Sequence, residues 1–305
     1  MAREDSPTVL DPARPLTEIT PNLRRRRQVD RAMRGSSIAA AVLAVVVLGI
    51  VIVSVVGQGA SAISWTFLTK DPVSSLSLSG GTGGIADAIV GSALIVGVAT
   101  AIALPVGVLI ALFLTEFSTP RTARPIRMAL DLLNGLPSIV IGVFVFGLLV
   151  AGSGQTGFAG SFALAIIMIP LLARTTQEML LLVPKELRDA AHALGVSRWR
   201  TIVGIVLPGA LGGILTGAVL AIARAAGETA PVLLVSSIFS GSTTIDIFGT
   251  ALPNIPVVIF QSSESGLPAD KARAWGAALV LIAFILIGNL GARAMLARQR
   301  RILSR

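Results

Sequence analysis

The chain has no cysteine, and its 305 residues include a single histidine, His192. Without thiols there is neither a disulfide framework nor a thiolate metal site, and one imidazole makes no histidine cluster, so the sequence offers no metal site. Lysine is scarce, 3 residues against 22 arginines, and no lysine follows a glycine. The Gly-Lys-Ser/Thr of a phosphate-cradling loop is therefore missing, and ATP chemistry does not reside in this chain. Charged residues make up only 13%, where about a quarter is usual in soluble domains.

What the chain has instead is apolar sequence: 53% hydrophobic side chains and a mean hydropathy of +0.83. A hydrocarbon core of roughly 30 Å takes about 20 helical residues to cross. Six runs meet that length, at about 38–56, 86–114, 128–151, 158–183, 201–235 and 274–292. The fold class that follows is an all-α polytopic membrane protein with six transmembrane helices. The run 201–235 is long, and Pro208 and Gly227 predict a bend or break in it. Some 37 polar and basic residues precede Ile38, too many for a cleaved signal peptide, so the first run reads as an uncleaved anchor.

The basic residues set the expected orientation. With the N-terminus in the cytoplasm, 20 Lys and Arg fall on that side, in residues 1–37, the loops 115–127 and 184–200, and the tail from Arg293. The other side receives only Lys70, Lys271 and Arg273, while Arg174 and Arg224 lie within spans. That asymmetry predicts cytoplasmic N- and C-termini and explains the net charge of +9 with no nucleic-acid partner. The expected domains are a partly disordered basic tail over 1–37, a membrane domain over 38–295 and a basic cytoplasmic tail over 296–305. The arginine run near the start has affinity for anionic lipid head groups. The outer segments 57–84 and 236–273 are rich in Ser, Gly and Pro, and the second has the composition of packed interfacial structure.

Between two apolar runs, Pro184 opens a short cytoplasmic helix over about 184–195. Leu187, Ala190, Ala191 and Leu194 recur at helical spacing and define one apolar face, with Lys185, Glu186, Arg188 and Asp189 largely on the others. Gly195 is placed to end the helix in the left-handed conformation. Such a helix is either a docking element for another protein or a plain turn between spans.

The spacing Asp189-Ala190-Ala191, Gly195, Ile205-x-Leu207-Pro208 resembles the EAA loop of bacterial type I ABC importer permeases, with Asp where Glu is usual. Over about residues 85–295, GGIADAIVGS (83–92), DLLNGLPSIVIG (131–142), RTTQEMLLLVPKELRDAA (174–191), ARAAGETAPVLL (223–234) and AWGAALVL (274–281) resemble the PstA-type permease of the phosphate ABC importer. The run Gly227-Glu228-Thr229-Ala230-Pro231 favours that type over its partner, the PstC type. The resemblance implies a non-catalytic permease in the bacterial cytoplasmic membrane, paired with a PstC-type second permease. It further implies a PstB-type ATPase dimer holding ATP and Mg, a PstS-type phosphate-binding protein outside, and no cofactor in this chain. Asp189, Ala190, Ala191 and Gly195 would then couple it to the ATPase as a helix seated in a cleft of that subunit.

Independently of that resemblance, Arg174 and Glu178 are four residues apart, as are Arg224 and Glu228. Each pair can bond across one helical turn. A charge at the bilayer centre costs at least ~2.5 kcal/mol and generally faces a bundle interior or a watery path. The two pairs are either structural ion pairs near span ends or an anion path in which Glu178 and Glu228 hold the arginines between anions. Arginines would serve phosphate, sulfate, molybdate or phosphonate alike, and an ATP-independent channel or secondary transporter would use the same pairs. Gly209, Gly213 and Gly217 form a stripe that lets another helix approach, of this chain or a partner. Asn134, Pro137 and Ser138 start the third span or line a path. An intramembrane serine hydrolase is disfavoured, because His192 and Ser153 fall on opposite faces.

In a chain free of native cysteine, Arg198→Cys is expected to react with an impermeant maleimide only from the cytoplasmic side; labelling in intact cells overturns the topology.

Overall fold

A computed structural model describes residues 21–72, 83–237 and 243–303. The expectation for residues 1–20 lies outside these. Helix α1 runs from Pro21 to Gly59, so residues 21–37 are helical and not a loose tail. Arginine is a good helix former, Pro21 suits the first turn, and Asp30 pairs with Arg34 one turn on at 3.8 Å. The chain divides after Ser54 into two compact units, the second running from Val55 onward.

That unit holds α2 (Trp65–Thr69), α3 (Ala86–Leu112), α4 (Pro120–Gly135), α5 (Ser138–Val145), α6 (Gly157–Leu181) and α7 (Lys185–Ala193). It continues with α8 (Arg198–Thr201), α9 (Leu207–Ala226), α10 (Ala230–Val235), α11 (Ile255–Glu264) and α12 (Pro268–Leu303). Across the described residues five helices are long and apolar enough to cross a membrane, or six if one bent pair counts as a span. The chain is a multi-pass helical membrane protein. Helix α6 lies at the centre, against α3 on one side and α9 on another, with α12 beyond α9. Ile95, Ala99, Ala103, Ala163, Leu164, Met168, Leu172, Ala221 and Ala225 form the core between them.

Two spans differ from the sequence expectation. The run 128–151 is no straight helix but α4 and α5, bent by 101°. Pro137 bars its predecessor from the helical region, and Leu136 is accordingly extended, at φ −71° and ψ 136°. The run 201–235 breaks at Gly227 but passes through Pro208 as one helix from Arg198 to Ala226. The proline's missing donor and its ring are absorbed by a π-turn over Ile202–Val206 directly before it, which shifts the local bonding to longer loops.

Residues 251–258, between α10 and the body of α11, form a buried plug. Ala251, Leu252, Asn254, Ile255, Val257 and Val258 are all at most 5% exposed, so this part belongs to the core and not to the membrane interface. Ser236 Oγ bonds both the backbone N–H and the carbonyl of Leu252 (2.9 and 3.1 Å), and Ser92 Oγ accepts from Ile255 N–H at 2.8 Å. The residues just before the plug supply carbonyls to α6, whose first N–H groups on Gly157 and Phe158 donate to Thr250 and Ile247 (2.9 and 2.7 Å). Gly91 admits the plug: a Cβ there would strike the carbonyl of Pro253.

The glycine stripe on α9 meets α6 of the same chain. Gly209 faces Val183, Gly213 faces Met179 and Gly217 faces Thr175, an antiparallel register stepping four residues on each helix. A Cβ at Gly217 would overlap the β-branched Thr175 side chain, whereas at Gly209 it would rest against Val183 at an ordinary 3.5 Å. Gly217→Ala is therefore expected to destabilise by about 1–3 kcal/mol through overpacking. Gly209→Ala should be neutral or gain up to about 1 kcal/mol of helix propensity. Thermal unfolding in detergent checks this, and a more damaging Gly209→Ala would refute the register.

Candidate functional site

The α6–α9 seam places the two intramembrane arginines on adjacent helices. In the register just described Arg174 is level with Ala218, six residues from Arg224, or about 9 Å along the axis at 1.5 Å per residue. Arg224 sits in the last turn of α9, where a cation offsets the partial negative charge of the helix end. Its Nε lies 3.6 Å from Glu228 Oε1. The pairing thus spans the break at Gly227, where Gly227 and Glu228 N–H turn back to the carbonyls of Arg224 and Ala225 (3.1 and 3.2 Å). The two partners are unequal. Arg224 is 60% exposed and Glu228 only 17%, and Glu228 lines a small cavity with Ser92, Asn254 and Pro256. The carboxylate is the enclosed partner, and the guanidinium reaches it through Nε alone.

Arg174 pairs differently from the sequence expectation. Its partner is Asp131 of α4, not Glu178, which is exposed and makes no ion pair among the described residues. The bend at Leu136–Pro137 makes this possible by letting α4 turn against α6, where Ala123 and Leu130 pack with Ala173. Asp131 is the residue the sequence reading missed. It stands at the head of DLLNGLPSIVIG, and an acid among apolar residues is a signal in itself. Local i, i+4 spacing has no means of registering a partner 43 residues away.

The short helix α7 ends as a Schellman motif. Gly195 takes φ +77°, Gly195 N–H bonds His192 O at 2.9 Å and Val196 N–H bonds Ala191 O at 3.0 Å. Its buried face is not the apolar one read from spacing. Only Ala191 is buried there, while Leu187 is 50% and Leu194 84% exposed, with Asp189 and Ala190 also on the outside. The inward position beside Ala191 is taken by Arg188, which the sequence reading had put among the outer charges. Arg188 donates to the carbonyls of Val183 (2.9 Å) and Leu180 (2.8 Å) and pairs with Glu116 at 3.2 Å. The partners keep 17% and 11% of their side-chain surface exposed. A guanidinium buried against a helix C-terminus gives Val183 O a donor and Leu180 O a second one beside Val183 N–H (3.3 Å), where the last carbonyls of a helix are short of donors. Glu116 lies in the π-turn Phe113–Phe117 that ends α3, and Arg198 stacks over the ring of its neighbour Phe117, 4.9 Å from the centroid.

A double-mutant cycle on Arg174→Gln and Asp131→Asn is expected to give a coupling of about 0.2–1 kcal/mol in thermal stability, as fits a partly exposed pair. The cycle with Glu178→Gln should give none; the reverse result would restore the intrahelical pair.

Residues 103–301 match the family model described as binding-protein-dependent transport system inner membrane component. The chain is similar to the phosphate transport system permease protein PstA 1 of Mycobacterium tuberculosis, 42% identical over 225 residues, covering 72% of this chain and 73% of that protein. It is also similar to the phosphate transport system permease protein PstA of Haemophilus influenzae, 37% identical over 270 residues, covering 88% and 94%. A chain of a bacterial alginate ABC transporter, solved with its alginate-bound periplasmic protein, shares the fold at a TM-score of 0.64 and 15% identity, covering 92% of this chain and 98% of that one. A chain of the MetNI methionine ABC transporter does so at 0.56 and 18%, covering 70% and 94%. The chain belongs to the binding-protein-dependent transport system inner membrane component family and, within it, to the PstA-type permeases.

Proposed function

We propose that this permease is one half of the translocation path of an ATP-driven importer of inorganic phosphate. The observation that carries the anion reading is the uneven pair at the end of α9. Exposed Arg224 is held loosely by enclosed Glu228 in a chain 37–42% identical to phosphate transport system permeases. An arginine tethered by a single long contact can exchange its carboxylate for an oxyanion with little rearrangement, and its planar fork matches two oxygens of a tetrahedral anion. Arg174, held by Asp131, offers a second cation on the neighbouring helix. Glu178 drops out of the path, and Asp131 takes its place.

The other half of the path is a homologous PstC-type permease. A PstB-type ATPase dimer binds ATP and Mg and receives α7 through Asp189, Ala190 and Gly195 with the exposed Leu187 and Leu194. A PstS-type protein delivers phosphate outside. Seating α7 on a cytosolic ATPase puts both termini in the cytoplasm, in keeping with the distribution of basic residues, and leaves the arginines in the first turns of α1 near anionic lipid. The chain itself performs no chemistry; it carries the path and the lever.

In proteoliposomes holding the assembled complex, Arg224→Gln is expected to abolish phosphate uptake, a fall on the order of 30-fold or more, while the complex still forms. Unchanged uptake by the assembled variant removes Arg224 from the path.

A further inference from the structure

Arg188, Glu116, Arg198 and Phe117 have no part in the anion path or in the outward face of α7, yet they form a connected polar cluster behind it. We propose that they are a rigid joint that makes α7 move as one body with the ends of α3 and α6. The inference rests on the reading of α7 as the ATPase docking helix and concerns what lies behind it.

The connection from α6 to α7 is Leu182, Val183 and Pro184; Val183 is buried in the core, but Leu182 and Pro184 are exposed, and their rotatable bonds would absorb part of a push on α7. Arg188 staples that turn. Its two terminal nitrogens reach back to the carbonyls of Val183 and Leu180, so its head is fixed to the end of α6 from the far side of the hinge. The same head pairs with Glu116 at the end of α3. Beyond Gly195, Arg198 grips Phe117, the next residue. Two cations flanking the Gly195 turn thus hold two consecutive residues of one π-turn. With both members largely removed from water, the pair is screened little and resists transient opening. The division of faces is also complete: Arg188 and Ala191 point inward, while Leu187, Ala190 and Leu194 are left for a partner. A force on the outer face reaches α6, and with it Arg174, through the joint instead of being lost in the turn.

The test uses the full complex in proteoliposomes with binding protein and labelled phosphate, and reads phosphate delivered per ATP hydrolysed. Glu116→Gln keeps the shape and removes the charge. It is expected to retain the ATPase and hydrolysis while lowering that ratio about fivefold or more, with Glu116→Asp recovering part of it. A ratio matching the wild type in an intact Glu116→Gln complex overturns the joint alone. Gly195→Asp in parallel probes docking: if the ATPase still binds and works normally with that variant, the docking reading fails and takes the joint with it. Should Glu116→Gln fail to accumulate, Arg188→Lys answers the same question, since an ammonium cannot span both carbonyls while facing Glu116. A lowered ratio there supports the joint, an unchanged one overturns it, and failure of both variants to accumulate makes the pair a folding element and also overturns it.

Discussion

In hydrocarbon no water stands ready to bond a peptide group, so every place where a helix stops or bends must be closed from within the protein. This chain stops and bends often, and four such closures are identifiable among the described residues. The first N–H groups of α6 receive carbonyls from the residues just before the plug. Its last carbonyls receive the guanidinium of Arg188. The defect at Pro208 is taken up by a π-turn, and the break at Gly227 by two short return bonds. Three polar residues of the interior, Ser92, Ser236 and Asn254, are engaged in the same work.

The charges concentrate at these same closures. Arg224 and Glu228 flank the Gly227 break, Arg174 meets Asp131 beside the Pro137 bend, and Arg188 meets Glu116 where α6 and α3 end. A helix end already carries partial charge and disrupted packing, so a formal charge costs less there than mid-span. The roles proposed above both fall at such ends: an exposed arginine for an anion at one, a stapled lever at the other. The middles of α3, α6 and α9 are apolar and rich in alanine, and what they contribute is the close packing between the three helices.

Much of this was legible in the chain. Long uncharged runs announced the spans, Pro184 and Gly195 bounded α7, and Arg224 with Glu228 was found from spacing because their contact is local. The errors share one cause. Arg174 was assigned to Glu178 and Arg188 to the solvent face because periodicity sees only neighbours along one helix. The true partners, Asp131 and Glu116, lie on other helices. The bend that delivers Asp131 had a local signal in Pro137, but the apolar run on both sides of it concealed the break. The plug at 251–258 escaped for a related reason, since Ser, Gly and Pro suit both an exposed loop and a buried irregular segment.

Composition and period by themselves determined that this chain lies in a membrane as a set of helices, and which short segment stands apart from them, because hydrophobic length and helix punctuation are properties of consecutive residues. Only the tertiary structure decided which acid holds which arginine, which helix fills the glycine stripe and which face of α7 remains free. Those outcomes depend on distances between segments far apart in sequence, and a long arginine side chain answers to whichever carboxylate or carbonyl the packing brings within its reach.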